Sequence, residues 1–166
     1  MNNIIENPIL RTYNSFKQNF GQETYLSSVK ESNYRTAIAR LRCSSHTLAI
    51  ERGRYTRPKT PVEQRICYEC NVLEDELHFV TNCKINEVER FDLDLKVRRF
   101  NPNYIHLNNS EKFVYLMSNK NSTILTWLGK FLYKSFKVRS EYLMSLTLRY
   151  NLIPNSSIYL FELKCL

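Results

Sequence analysis

The chain has 166 residues, 43% of them apolar, and its 24 Lys and Arg against 16 Asp and Glu leave a formal net charge of +8. That is enough apolar chain for one ordinary core, which argues for a single domain with at most an appended subdomain. No eighteen apolar residues run uninterrupted, and the opening MNNIIENPILRTYNSFKQNF lacks the charged start and apolar stretch of a secretory signal, so the expectation is an intracellular protein, nuclear or cytoplasmic, with no membrane segment.

Three glycines and five prolines punctuate the chain and no repeat is visible, which predicts long helices separated by polar breaks. Asn7 and Pro8 supply a cap and first-turn signal for a helix carrying Ile9, Leu10, Tyr13, Phe16 and Phe20 to Gly21. Tyr25, Leu26 and Val29 suggest a short second helix, and Ser32 opens a third with Tyr34, Ala37, Ile38, Leu41 and Leu48 as its apolar stripe. Gly53 and Pro58 stop the helical pattern, and GRYTRPKTP predicts an exposed, irregular or extended arm. Farther on, Ile85, Val88, Phe91, Leu93 and Leu95 mix helical and alternating spacing and are read as a helix. After the break FNPNYIHLNNS, which holds His106 as an ordinary surface histidine, Ser110 and Ser122 open two capped helices forming a hairpin. The terminal IPNSSIYLFELKCL fits a short strand or a frayed helix equally well. The expected architecture is mainly α, a helical bundle or hairpins around a small CCHC zinc knuckle, in three regions: 1–60 helical with the basic arm, 61–100 the knuckle, 101–166 the helical tail.

The window Ile66 to Cys83, ICYECNVLEDELHFVTNC, carries the chemistry. Cys67, Cys70, His78 and Cys83 stand in Cys-x2-Cys-x7-His-x4-Cys order. A Cys-x2-Cys pair sets two thiolates on one tight turn within reach of a single ion, and a following helix returns an imidazole and a third thiolate to close a tetrahedron. Four protein ligands leave no position for water, so a Zn2+ ion there would be structural and not hydrolytic. Five cysteines, an odd number in a chain read as intracellular, fit metal ligation better than a disulfide framework. A rival set, Cys43, His46, Cys67 and Cys70, also has legitimate zinc spacing but needs a longer loop closed, and the helical stripe puts Cys43 on the core side. Glu74, Asp75 and Glu76 fall where the helix of His78 begins, acids at its positive end.

The order of elements around this window, an Arg-rich helix with SSH, then IERGRY, RICYEC, EDELHF and a closing Cys, resembles the zinc-binding segment that follows the polymerase domain in many non-LTR retrotransposon reverse transcriptases. It covers residues 34 to 90, about a third of the chain. The resemblance implies the ligands Cys67, Cys70, His78 and Cys83 and a module that helps grip RNA or target DNA; it departs at Cys43, where the family has an aliphatic residue. Polymerase activity needs an aspartate pair to hold two metals, and no adjacent aspartates occur, so no enzyme is expected.

Charge distribution agrees with a polyanion partner. Between Tyr34 and Ile66 eight basic residues face only Glu51 and Glu63, a local net of +6. Arg40, Arg42, Arg52, Arg54, Arg57, Lys59 and Arg65 are candidate phosphate contacts, with Tyr55 and Tyr68 as rings that can stack on an unpaired base. Nothing resembles a sequence-reading finger helix, so binding to RNA or DNA would be dominated by the backbone. Two other readings compete. In one, the tail aromatics Phe113, Tyr115, Trp127, Phe131, Tyr133 and Phe136 dock a protein partner on a zinc-stabilised scaffold, although core packing uses such residues equally. In the other, Asp92, Asp94 and Lys96 form a nuclease-like cluster, which a helix would split between faces.

Overall fold

The computed structural model describes residues 11–17 and 21–150. The expected cap at Asn7 and Pro8, Phe20, and the segment from Ile153 onward lie outside them. The described chain is mainly helical: α1 (Arg11–Asn14), α2 (Thr24–Ser28), α3 (Ser32–Arg42), α4 (Ala49–Arg52), α5 (Glu76–Thr81), α6 (Glu87–Arg98), α7 (Asn109–Ser118) and α8 (Ser122–Tyr150). Among the described residues there is no strand, only an isolated antiparallel bridge between Ile66 and Leu73.

Helix α8, 29 residues and so about 44 Å long, is the spine. α2, α3 and α6 pack along it. Its buried face begins apolar, with Ile124, Leu125, Leu128, Phe131 and Leu132, against Ile38 and Leu41 of α3 and Leu93 and Val97 of α6. One core cluster runs from Phe16 to Leu132 and takes residues from all three regions of the chain. The tail aromatics belong to it: Phe113 and Phe131 are buried, and Tyr115, Trp127, Tyr133 and Phe136 pack against it. Farther along α8 the same buried face turns polar, with Ser135 and Arg139 wholly enclosed.

Local chemistry sets the helix ends. α3 stops in a Schellman turn: Ser44 takes a left-handed φ of 52°, its N–H reaches Leu41 O at 3.3 Å, and Ser45 N–H reaches Arg40 O at 2.8 Å. The helix ends at Arg42, and Cys43 beyond it is exposed, correcting its expected place on the core side: two residues from Leu41 is about 200° of rotation, opposite the stripe. α7 is capped by Asn108 in a reciprocal box with Glu111, two residues ahead of the expected Ser110. α8 is held by Asn121 Oδ1, which accepts from Thr123 and Ile124 N–H at 2.9 and 3.2 Å.

α3 and α8 cross at Gly129. A Cβ there would lie 2.6 Å from Tyr34 Cβ and 3.1 Å from Tyr34 O, so the absent side chain is what permits the approach. Gly129→Ala gains about 1 kcal/mol of helix propensity, but backbone must move to admit it, at a cost of about 1–3 kcal/mol. The expected outcome is a lower urea midpoint; an unchanged or higher midpoint would contradict the crossing.

Candidate metal centre

Residues 65–74 form a tight hairpin knuckle. Arg65 O accepts from Glu74 N–H at 2.9 Å, Cys67 N–H donates to Val72 O at 2.7 Å, and Asn71 N–H donates to Cys67 O at 2.8 Å. Asn71 turns the chain with a left-handed φ of 54°, a conformation Asn tolerates better than most residues. This turn brings the two cysteines of the Cys-x2-Cys pair together. Asp75 then caps α5, its carboxylate accepting from His78 N–H at 2.8 Å, which fixes the rotation of the turn bearing the imidazole. Past α5, Asn82 and Cys83 N–H both donate to His78 O at 2.9 Å, folding Cys83 back toward the hairpin. Arg90 holds that corner by donating to Cys83 O at 2.7 Å.

The ligand atoms of Cys67, Cys70, His78 and Cys83 all lie within 4.8 Å of one another, and Cys67 and Cys83 are buried. Cys67 Sγ and Cys83 Sγ are 3.8 Å apart. A disulfide needs about 2.05 Å, whereas two sulfurs each about 2.3 Å from one tetrahedral ion stand about 3.8 Å apart. His78 Nε2 is buried with no hydrogen-bond partner, a costly state that a bound cation relieves. The S–H···S contact with Cys83 holds the Cys67 thiol down to about 3 against the opposing effect of burial. The same contact, with burial, pushes Cys83 up, and burial raises Cys70. Three sulfurs so close share their protons unequally, and a divalent cation is what lets all of them ionise together. The residues present fit a closed, four-ligand metal site.

The knuckle is bolted to the bundle by two buried glutamates flanking the cap. Glu74 forms a two-pronged ion pair with Arg139 of α8, Nε to Oε1 at 2.7 Å and Nη2 to Oε2 at 2.9 Å, and also accepts from Ala49 N–H at 2.6 Å at the start of α4. Glu74 O accepts from Ile50 N–H at 3.1 Å. Glu76 Oε1 takes Ser44 Oγ and His46 Nε2, each at 3.0 Å. His46 lies over Phe136, which stacks on Phe79 with centroids 4.6 Å apart. The outer glutamates of the Glu-Asp-Glu run are thus the knuckle's anchors, while Asp75 caps α5 and Glu76 also lies in its first turn, at the positive end where acids were expected.

The compact ligand set comes together; the rival one does not, since Cys43 is exposed and His46 faces Glu76. Two of the candidate phosphate contacts must be withdrawn. Arg42 is buried, its Nη1 2.5 Å from Glu23 Oε2, its Nη2 on Met117 O, and its guanidinium 4.7 Å from the Phe16 ring centroid. Arg65 is buried too, donating from Nη1 to Ile50 O at 2.8 Å and from Nε to Thr60 O at 2.9 Å. Around it GRYTRPKTP is irregular, with Tyr55, Arg57, Pro58, Lys59 and Pro61 exposed as expected, but closed into a compact loop and not extended: Thr60 N–H meets Gly53 O at 3.0 Å, and a Cβ on Gly53 would lie 2.5 Å from Arg65 Nε. Arg40, Arg52 and Arg54 are half-buried, Arg54 pairing with Glu51 at 3.2 Å, while Tyr55, Arg57, Lys59 and Tyr68 are exposed. Asp92 pairs with Lys96 at 2.5 Å on the outside of α6, and Asp94 is partly buried beside Tyr104, so no nuclease-like cluster forms. His106 is exposed.

Two outcomes follow for substitutions. Arg139→Ala strands the Glu74 carboxylate inside the protein and lowers unfolding free energy by about 3–5 kcal/mol, read from urea denaturation; a loss below about 1 kcal/mol would remove the pair from its anchoring role. Cys70→Ser or His78→Ala abolishes stoichiometric metal in purified protein while Cys43→Ser keeps it; metal lost with Cys43 would restore the rival set. No family model matches the chain, and neither a curated protein nor a solved structure matches it.

Proposed function

We propose that the chain is a structural zinc module, of the kind found after the polymerase domain of non-LTR retrotransposon reverse transcriptases, that holds RNA or DNA through the loop wound around Arg65 and has no polymerase activity of its own. The carrying observation is the closed Cys3His cluster, with its donors within 4.8 Å and no protein-free coordination place needed to complete a tetrahedron. Three sulfurs and one imidazole are the donors zinc prefers in structural sites, and thiolates disfavour magnesium or calcium.

Coupling from metal to nucleic acid runs through adjacent residues. An ion gathers Cys67 and Cys70, which sets the hairpin; the hairpin sets Arg65; Arg65 fastens Ile50 and Thr60, the two ends of the basic loop. On that loop Arg57 and Lys59 are exposed to phosphates, Arg52 and Arg54 stand half-buried beside them, and Tyr55 offers a ring 76% exposed. Tyr68, within the Cys-x2-Cys turn and 63% exposed, offers a second ring. Exposed rings beside cations favour unpaired bases, since stacking is tolerant of sequence and unavailable inside a duplex. With Arg42 and Arg65 enclosed, the basic residues left on the loop are Arg52, Arg57, Lys59 and Arg54, the last also paired with Glu51, fewer than charge counting along the sequence implied.

The binding test is a salt titration of zinc-loaded protein on labelled single-stranded RNA and on duplex DNA. Four phosphate contacts give a log–log slope of about −3 on a single strand, and replacing Arg57 and Lys59 by Ala reduces its magnitude by about 1.4 while leaving zinc content unchanged. Zinc-loaded protein that shifts neither probe at low salt would overturn the nucleic-acid reading and leave the metal site standing.

A further inference from the structure

Helix α6 has two apolar faces, and only one belongs to the core. Leu93 and Val97, four residues apart, are 2% and 0% exposed and face inward. Val88, Phe91 and Leu95 are 77%, 62% and 44% exposed. Their spacing of three and four places them on one stripe, and Leu95 lies two residues, about 200° of helix rotation, from both Leu93 and Val97. The stripe therefore points directly away from the protein. A continuous row of two aliphatic side chains and a phenyl ring that no described residue covers is the pattern of a docking face and not of scattered surface apolars.

The charges along α6 identify what covers it. Acids occupy the first turn, Glu87 and Glu89, and bases the last, Lys96 and Arg98, followed by Arg99. Glu87 and Arg98 lie along the same flank of the exposed stripe. We propose that α6 docks on α6 of a second copy of this chain, antiparallel and about a two-fold axis near Phe91. That arrangement sets Phe91 against the partner's Phe91, Val88 against the partner's Leu95, and Glu87 beside the partner's Arg98 on the shared flank, with the symmetric pair repeated at the other end. A two-fold contact is self-complementary by construction, which the palindromic order of acid, apolar row and base satisfies. Parallel pairing would instead bring acid against acid and base against base, with helix dipoles aligned unfavourably. One helix face is a small patch, so the dimer belongs to the weak class, with dissociation in the micromolar range.

Sedimentation equilibrium of the zinc-loaded full chain, from about 1 to about 200 µM, reads the association. The expected result is a concentration-dependent monomer–dimer equilibrium that Phe91→Glu abolishes, with an unchanged circular dichroism spectrum because the ring is outside the core. Glu87→Arg and Arg98→Glu each weaken the dimer about tenfold, and the two together in one chain restore it. A monomer throughout the range overturns the proposal. So does a dimer indifferent to Phe91→Glu, which would use another surface, or a double reversal that fails to rescue, which would remove the antiparallel pairing.

Discussion

Three thiols and an imidazole drawn into a space less than 5 Å across form the constraint on which the middle of this protein rests. Without an ion the arrangement is unfavourable: Cys67 and Cys83 stand in sulfur contact, and His78 Nε2 is enclosed without a partner. A divalent cation held by these four side chains would turn each of those costs into a bond. Residues 65–83 hold too little apolar surface to fold independently, since their buried apolar side chains are chiefly Phe79 and Val80. Ligation of a metal by the four clustered side chains would be large enough to offset the ordering of the hairpin and α5.

What the knuckle then does for the rest of the protein depends on Glu74 and Glu76. They bracket the capping residue Asp75, and both carboxylates are wholly enclosed, one by Arg139 and the start of α4, the other by Ser44 and His46. The turn after α3, the start of α4, the metal hairpin and the far half of α8 therefore meet at two adjacent anchors. An ion pair enclosed this way contributes little net stability against an apolar alternative, but it fixes a register, because the knuckle must sit where the Glu74 carboxylate meets both Nε and Nη2 of Arg139. The polar stretch of the buried face of α8, Ser135 and Arg139, is where that register is read.

The ligand set was legible in the sequence because its spacing is local: a tight turn and one helical segment suffice to bring four side chains together, with no knowledge of the bundle. The helical pattern was legible for the same reason. The Glu74–Arg139 pair was not, since 65 residues separate the partners and nothing near Arg139 marks it as enclosed. Arg42 and Arg65 were misplaced by charge counting, which treats every arginine as solvated; each instead finds acceptors in backbone carbonyls, an option a long stem and a five-donor head allow. Cys43 was misplaced because it lies two residues, about 200° of helix rotation, from Leu41 and so opposite the apolar stripe of α3, ahead of the Schellman turn at Ser44. The mixed periodicity of residues 85–95 has a physical origin as well: α6 shows Leu93 and Val97 to the core and Val88, Phe91 and Leu95 to the outside, so neither simple period describes it.

A direct test of the central claim is X-ray absorption at the zinc edge on protein purified from cells without added metal. The expected result is one zinc per chain, bonded to three sulfurs at about 2.3 Å and one nitrogen at about 2.0 Å. A folded protein containing no metal, or a shell of oxygen and nitrogen without sulfur, would contradict it.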